Sequence, residues 1–168
     1  MATAIQRVDP SQNDFLAGLE AKSGKPNHFL RTMANRPEVL KTFVPFYAAV
    51  VGRGSVAYRI KELVYLACAF ANQCAYCTAV HTAGGRKAGI TEDELQALQA
   101  GQVQSFTAPE RAAIRYAQEL TRTASPGDTR DALFDHFTQE QIVEMTLVVA
   151  MANFTNRFNS GLGVEPEA

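Results

Sequence analysis

The chain has 168 residues, 46% of them hydrophobic and 20% charged, with a formal net charge of −1. That composition suits one globular domain, which at this length buries roughly 70% of its unfolded surface and needs no disulfide framework or metal for stability. The balanced charge excludes a basic nucleic-acid-binding surface, and no polybasic cluster is present for an anionic membrane.

The N-terminal MATAIQRVDP lacks the apolar core of a signal peptide, and the longest apolar stretch, residues 146–152, is too short to span a bilayer. The expectation is a cytoplasmic protein that binds neither nucleic acid nor membrane. From there the chain reads as helix after helix. Phe15, Leu16 and Leu19 give residues 14–22 a short apolar stripe, stopped by Gly24, Lys25 and Pro26. Residues 28–34 form a second short helix. Pro37 suits the first turn of a third, which runs to about Val51, and Pro45 inside it predicts a kink or break.

Residues 52–55 are a linker with two glycines. Val56, Ile60, Leu63, Val64, Ala67 and Phe70 then recur at helical spacing and predict a mostly apolar helix over 56–71. Residues 75–88 form the next helix, closed by Gly89. Thr91 with Glu94, and Thr107 with Glu110, are capping-box pairs that open helices at 92–98 and from 108 through Leu120. A turn at 125–128 precedes a short helix at 129–137. Thr138 caps a last long helix, from 139 to about Asn159, and the tail from Glu165 is expected to fray. No segment alternates with period two. The fold class is therefore all-α, a single domain over 1–168 of about eight helices, with flexible ends at 1–10 and 164–168. The helices at 56–71 and 139–159, apolar nearly all round, belong at the centre or at a subunit interface.

Two of the three cysteines fall in NQCAYCTAVH, where Cys74, Cys77 and His81 are spaced i, i+3, i+7 and so share one helix face. In a reducing compartment such a pair is redox-active, catalytic or metal-binding rather than structural. Cysteines at i and i+3 also come within disulfide range, about 5–6 Å between Cα atoms. Asn72 is a candidate cap, which places the pair in a first turn whose partial positive charge favours thiolate. Glu62 is the one carboxylate in the preceding helix. Along one continuous rod it would lie about 18 Å from Cys74. If the chain instead reverses at Asn72–Gln73, Glu62 and His81 sit at the same level, with Cys77 one turn nearer the tip. A Glu–His–Cys line results, in which the carboxylate supports an imidazole that takes a proton from a cysteine or a bridging water.

The string Glu62-x11-Cys74-x2-Cys77-x3-His81 resembles the signature of the alkylhydroperoxidase D family, within the carboxymuconolactone decarboxylase-like superfamily. The surrounding KELVYLACAFANQCAYCTAVHTAGGRKAGITEDEL resembles the family core, PNHFLRTMANRPEVL its entry segment, and VVAMANFTNRFNSGLG its closing helix. The motif-bearing core spans 56–98. The resemblance implies an all-helical, homo-oligomeric (trimer or hexamer) thiol peroxidase acting on organic hydroperoxides or hydrogen peroxide. It implies Cys77 as the peroxidatic cysteine, Cys74 as the resolving one, and Glu62 with His81 as proton relay. It implies no cofactor beyond the redox-active disulfide and a lipoyl or thioredoxin-like dithiol protein as electron donor. One departure is plain: the best-known peroxidase members carry a histidine directly before the second cysteine, and here that residue is Tyr76.

Two other functions use parts of the same pattern. A lyase acting on a small carboxylate or lactone, as the superfamily name suggests, needs acid and base groups but has no use for the cysteine pair. A non-catalytic zinc or thiol-sensing module would take Cys74, Cys77, His81 and Glu62 as ligands, although structural zinc sites usually draw on two separated knuckles. Cys68 reads as core, His28 and His136 as structural or solvent-facing, and Asn153, Asn156 and Arg157 as interhelical hydrogen-bonding groups.

Overall fold

The structure, a computed structural model, describes residues 5–167; the expected flexibility of residues 1–4 and 168 lies outside them. Among the described residues the chain forms eight α-helices and no strand: α1 (Asp14–Ser23), α2 (His28–Met33), α3 (Pro37–Val51), α4 (Tyr58–Ala71), α5 (Ala75–Lys87), α6 (Glu92–Gln99), α7 (Ala108–Thr123) and α8 (Gln139–Leu162). None is long and apolar enough to cross a membrane.

Helix α4 is the axis of the molecule, packed against α5, α7 and α8. Every residue from Lys61 to Ala69 is buried. Leu63, Val64, Leu66 and Cys68 are wholly inaccessible, each large apolar side chain contributing about 1.5–3 kcal/mol by leaving water. Capping boxes at Thr91 and Thr107 open α6 and α7, and Thr138 caps α8, as the sequence predicts; the structure adds Gln141 as the partner that makes the last a box too.

Four expectations need correction. Helix α4 begins at Tyr58, not Val56, because the Glu144 carboxylate of α8 takes the backbone N–H of Ser55 at 2.7 Å and of Val56 at 3.2 Å. Those amides anchor the linker to α8, and buried Lys61 completes the clasp by pairing with Glu144 and donating to the Val50 and Gly52 carbonyls. Pro45 does not break α3, which runs on to Val51. Pro45 and Lys41 are both exposed, so water can satisfy the carbonyl left without an i+4 donor. The helix expected over 129–137 is two short 3₁₀ turns, Gly127–Thr129 and Asp131–Asp135. Only Leu133 is buried there, so no apolar stripe supports a full helix.

The tail expected to fray returns to the body. Gly163, in the left-handed region at φ 63°, ends α8, and the Val164 amide donates to the Asn159 carbonyl at 2.9 Å, a Schellman closure. The Glu165 carbonyl then lies 2.9 Å from the His28 ring, and the Glu167 carboxylate accepts from the His28 amide at 2.6 Å and from the Tyr76 hydroxyl at 3.0 Å. His28 is thus a structural residue.

Candidate active site on the α4–α5 hairpin

The reversal between α4 and α5 sets the site. Gln73 adopts φ 54°, its amide donates to the Phe70 carbonyl at 3.1 Å, and the Cys74 amide donates to Ala69 at 3.0 Å. This second Schellman closure folds α5 back along α4. Asn72, expected to cap α5, instead ends α4 and sends its side-chain amide to Asn153 and Asn156 of α8. Cys74 itself caps α5, its sulfur accepting the Cys77 amide at 3.3 Å.

Cys74 and Cys77 are bonded to each other as a disulfide, their Cα atoms 5.4 Å apart. Both are buried, but only Cys77 lines a cavity of about 170 Å³. Its walls come from α2, α3, α4, α5 and α8 and are mainly aromatic: Phe29, Phe43, Tyr47, Tyr65 and Tyr76, with His81 and Asn159 among the polar groups. Cys68 is core, as expected: burial pushes its thiol up to about 12, and the Thr121 hydroxyl donates to its sulfur at 3.2 Å.

The hairpin brings Glu62 and His81 together. His81 Nδ1 lies 2.9 Å from Glu62 Oε2, both residues buried. A carboxylate only accepts, so Nδ1 is the donor of this pair. The neighbouring cations are engaged elsewhere, Lys61 with Glu144 and Arg59 with Glu94 and Glu110. Gly84, one turn beyond His81, makes room for the pair: a Cβ there would sit 2.8 Å from each Glu62 carboxylate oxygen.

The third member of the expected line, Cys77, shares the cavity with His81 but is not hydrogen-bonded to it. His81 Nε2 faces the Tyr47 hydroxyl at 3.5 Å, and the ring stacks on Tyr65 with centroids 3.5 Å apart. Burial pushes the Tyr47 phenol up to about 12, so near neutrality it remains an O–H donor. The Cys77 sulfur instead accepts from Asn159 Nδ2 at 3.4 Å. Tyr47, Tyr65 and Asn159 escape sequence reasoning, since nothing local to them signals a site. The Gly84–Gly85 pair inside a helix was the one local sign of a close approach.

Among the described residues no three His, Cys, Asp or Glu side chains converge as a metal site. The two sulfurs bond each other, and His81 is turned to Glu62 and Tyr47. His136 packs beside Phe137, away from the cavity.

The chain is similar to several known proteins. The model of the carboxymuconolactone decarboxylase family matches residues 37–119, which run from α3 into α7 and include all four motif residues. An uncharacterised Bacillus subtilis protein, YdfG, is 29% identical over 115 residues, 66% of this chain and 78% of that one. The alkylhydroperoxidase AhpD core structure of an uncharacterised peroxidase-related protein from Ralstonia eutropha superposes with a TM-score of 0.82 at 21% identity, over 99% of this chain and 94% of that one. The debrominase Bmp8 superposes with a TM-score of 0.86 at 19% identity, over 100% and 94%. The chain thus resembles the carboxymuconolactone decarboxylase family over residues 37–119 and has the all-α fold of the alkylhydroperoxidase D-like structures.

Proposed function

We propose that the protein is a thiol-dependent peroxidase that reduces small organic hydroperoxides or hydrogen peroxide through Cys77 and Cys74. The observation that carries the reading is that one cavity holds the Cys77 sulfur beside a Glu62–His81 pair, with Cys74 already within bonding reach. In the reduced protein the Cys77 thiolate attacks the terminal oxygen of R–O–OH. An S–O bond forms, the O–O bond breaks, and Cys77 becomes a sulfenic acid. The proton that the Cys77 thiol gives up passes to His81 and from there to the departing alkoxide, with Glu62 orienting the imidazole through Nδ1 and the Tyr47 hydroxyl beside Nε2. Cys74 then displaces hydroxide from the sulfenic sulfur, giving water and the disulfide. An external dithiol, lipoyl or thioredoxin-like, reduces that disulfide by exchange and leaves as a disulfide itself. No cofactor beyond the cysteine pair is needed, and a cytoplasmic setting supplies the dithiol.

The same reading makes the chain a homo-oligomer, trimer or hexamer. Its support is an exposed apolar stripe on α8, Val143, Leu147 and Phe154, beside Phe46 of α3, each more than 40% accessible.

Counting free thiols before and after one equivalent of tert-butyl hydroperoxide tests the activity. The wild type should lose two thiols within seconds, Cys77→Ser none, and Cys74→Ser should stop at a sulfenic acid. If all three wild-type cysteines stay reduced under excess peroxide, the reading fails. The aromatic cavity walls favour a second use of the same thiols, removal of bromine from a small ring, the activity named for Bmp8. Thiol loss on a brominated pyrrole and not on hydroperoxide would select it.

A further inference from the structure

We infer that Asn159 is a catalytic residue that stabilises the Cys77 thiolate. The inference deepens the peroxidase reading and rests on Cys77 being the attacking thiol. Asn159 lies in the last turn of α8, 82 residues from Cys77 in sequence, and is 2% exposed. Its Nδ2–H points at the Cys77 sulfur at 3.4 Å. Among the described residues it is the one hydrogen-bond donor to that sulfur. The group that spacing suggests for the task, His81, has Nδ1 on Glu62 and Nε2 facing Tyr47.

A second observation separates this asparagine from a packing residue. Its Oδ1 is buried and has no hydrogen-bond partner among the described residues. A buried orphan acceptor opposes folding, so stability alone would favour an apolar side chain here. The end that is satisfied is the end on the sulfur. A neutral N–H donor gains strength when its acceptor becomes an anion, so the contact stabilises thiolate over thiol.

The other groups around the cavity do not substitute for it. The titratable ones are Cys77 and His81 with Tyr76 on α5, Tyr65 on α4 and Tyr47 on α3; α2 and α8 line it with none. Glu62 stands behind His81 and Cys74 is disulfide-bonded to Cys77. The neutral Nδ2–H of Asn159 is therefore the donor aimed at the sulfur.

The test uses the full chain in a Cys74→Ser background, with Cys77 as the reactive thiol. The pH dependence of its alkylation by iodoacetamide reads thiolate formation directly, with no hydroperoxide involved. Asn159→Ala should lower the acidity of Cys77 about tenfold, the worth of one hydrogen bond to an anion. The near-isosteric Asn159→Asp should lower it further by replacing a donor with a negative charge. Thermal melting should show both variants folded. An alkylation midpoint that is the same in all three proteins overturns the proposal. The parallel rate with tert-butyl hydroperoxide separates it from the function it rests on. A shifted midpoint in a protein that never consumes peroxide sinks the peroxidase and keeps Asn159 as thiolate donor; brisk peroxide consumption with an unmoved midpoint does the reverse.

Discussion

His81 Nδ1 and Glu62 Oε2 meet at 2.9 Å across the α4–α5 hairpin, 19 residues apart in sequence. The carboxylate engages Nδ1, so Nε2 is the ring nitrogen that faces the Tyr47 side of the cavity. Glu62→Gln keeps a hydrogen-bond acceptor for Nδ1 but replaces the carboxyl group that supports the imidazole. The rate of sulfenic acid formation at neutral pH should fall about 100-fold, the scale of one general acid–base contribution. Stopped-flow thiol loss on tert-butyl hydroperoxide reads this. Iodoacetamide alkylation of Cys77, which needs no relay, should change far less. Equal losses in both reactions would remove Glu62 from the relay.

Gly84 tests the same pair from the opposite helix. A methyl group there would lie 2.8 Å from both Glu62 oxygens, too close to be tolerated in place. Gly84→Ala should therefore displace the carboxylate and lower the hydroperoxide rate much as Glu62→Gln does. The double variant should be no slower than either single one, because both break one interaction. Gly85→Ala is the control. Its Cβ would meet the Ile90 Cδ1 at 3.1 Å, a side-chain tip that can shift, so it should cost about 1 kcal/mol of stability and spare the rate. Additive losses at Gly84 and Glu62 would show that Gly84 acts through something other than the pair.

What the sequence made legible was whatever one hairpin encodes. Glu62 and His81 lie at similar distances from the Asn72–Gln73 tip, so a reversal there had to level them, and it does. The capping boxes at Thr91 and Thr107 were legible because both partners lie within four residues. The misses are tertiary. Glu144 holds the amides of Ser55 and Val56 from 89 and 88 residues away, which delays the start of α4. Tyr47 and Asn159 reach the cavity only because α3 and α8 pack around it. Tyr76, the departure from the family's histidine, turns its hydroxyl to Glu167 and Asn27, partners that a tail expected to fray could not have suggested.

Glu144 should make part of the protein's stability depend on acid pH. Burial alone would raise its pKa, but Lys61 and the Ser55 hydroxyl and amide outweigh that and hold it below the ordinary value of 4.5. A carboxyl with a depressed folded-state pKa contributes stability that is fully present above the unfolded value, and loses it as pH falls through the folded value. The wild type should therefore lose stability below about pH 4.5, in a window that extends to the lowered pKa. Glu144→Gln leaves Lys61, 3% exposed, without its counter-charge, and should cost about 3 kcal/mol at pH 7. Below the window the wild-type carboxyl is protonated too, so the gap between the two proteins should narrow. Urea unfolding at steps from pH 7 to pH 3 measures both free energies. Curves that stay parallel across that range would mean the Glu144 charge contributes nothing, and that the clasp on α3 and α4 is held by the neutral hydrogen bonds alone.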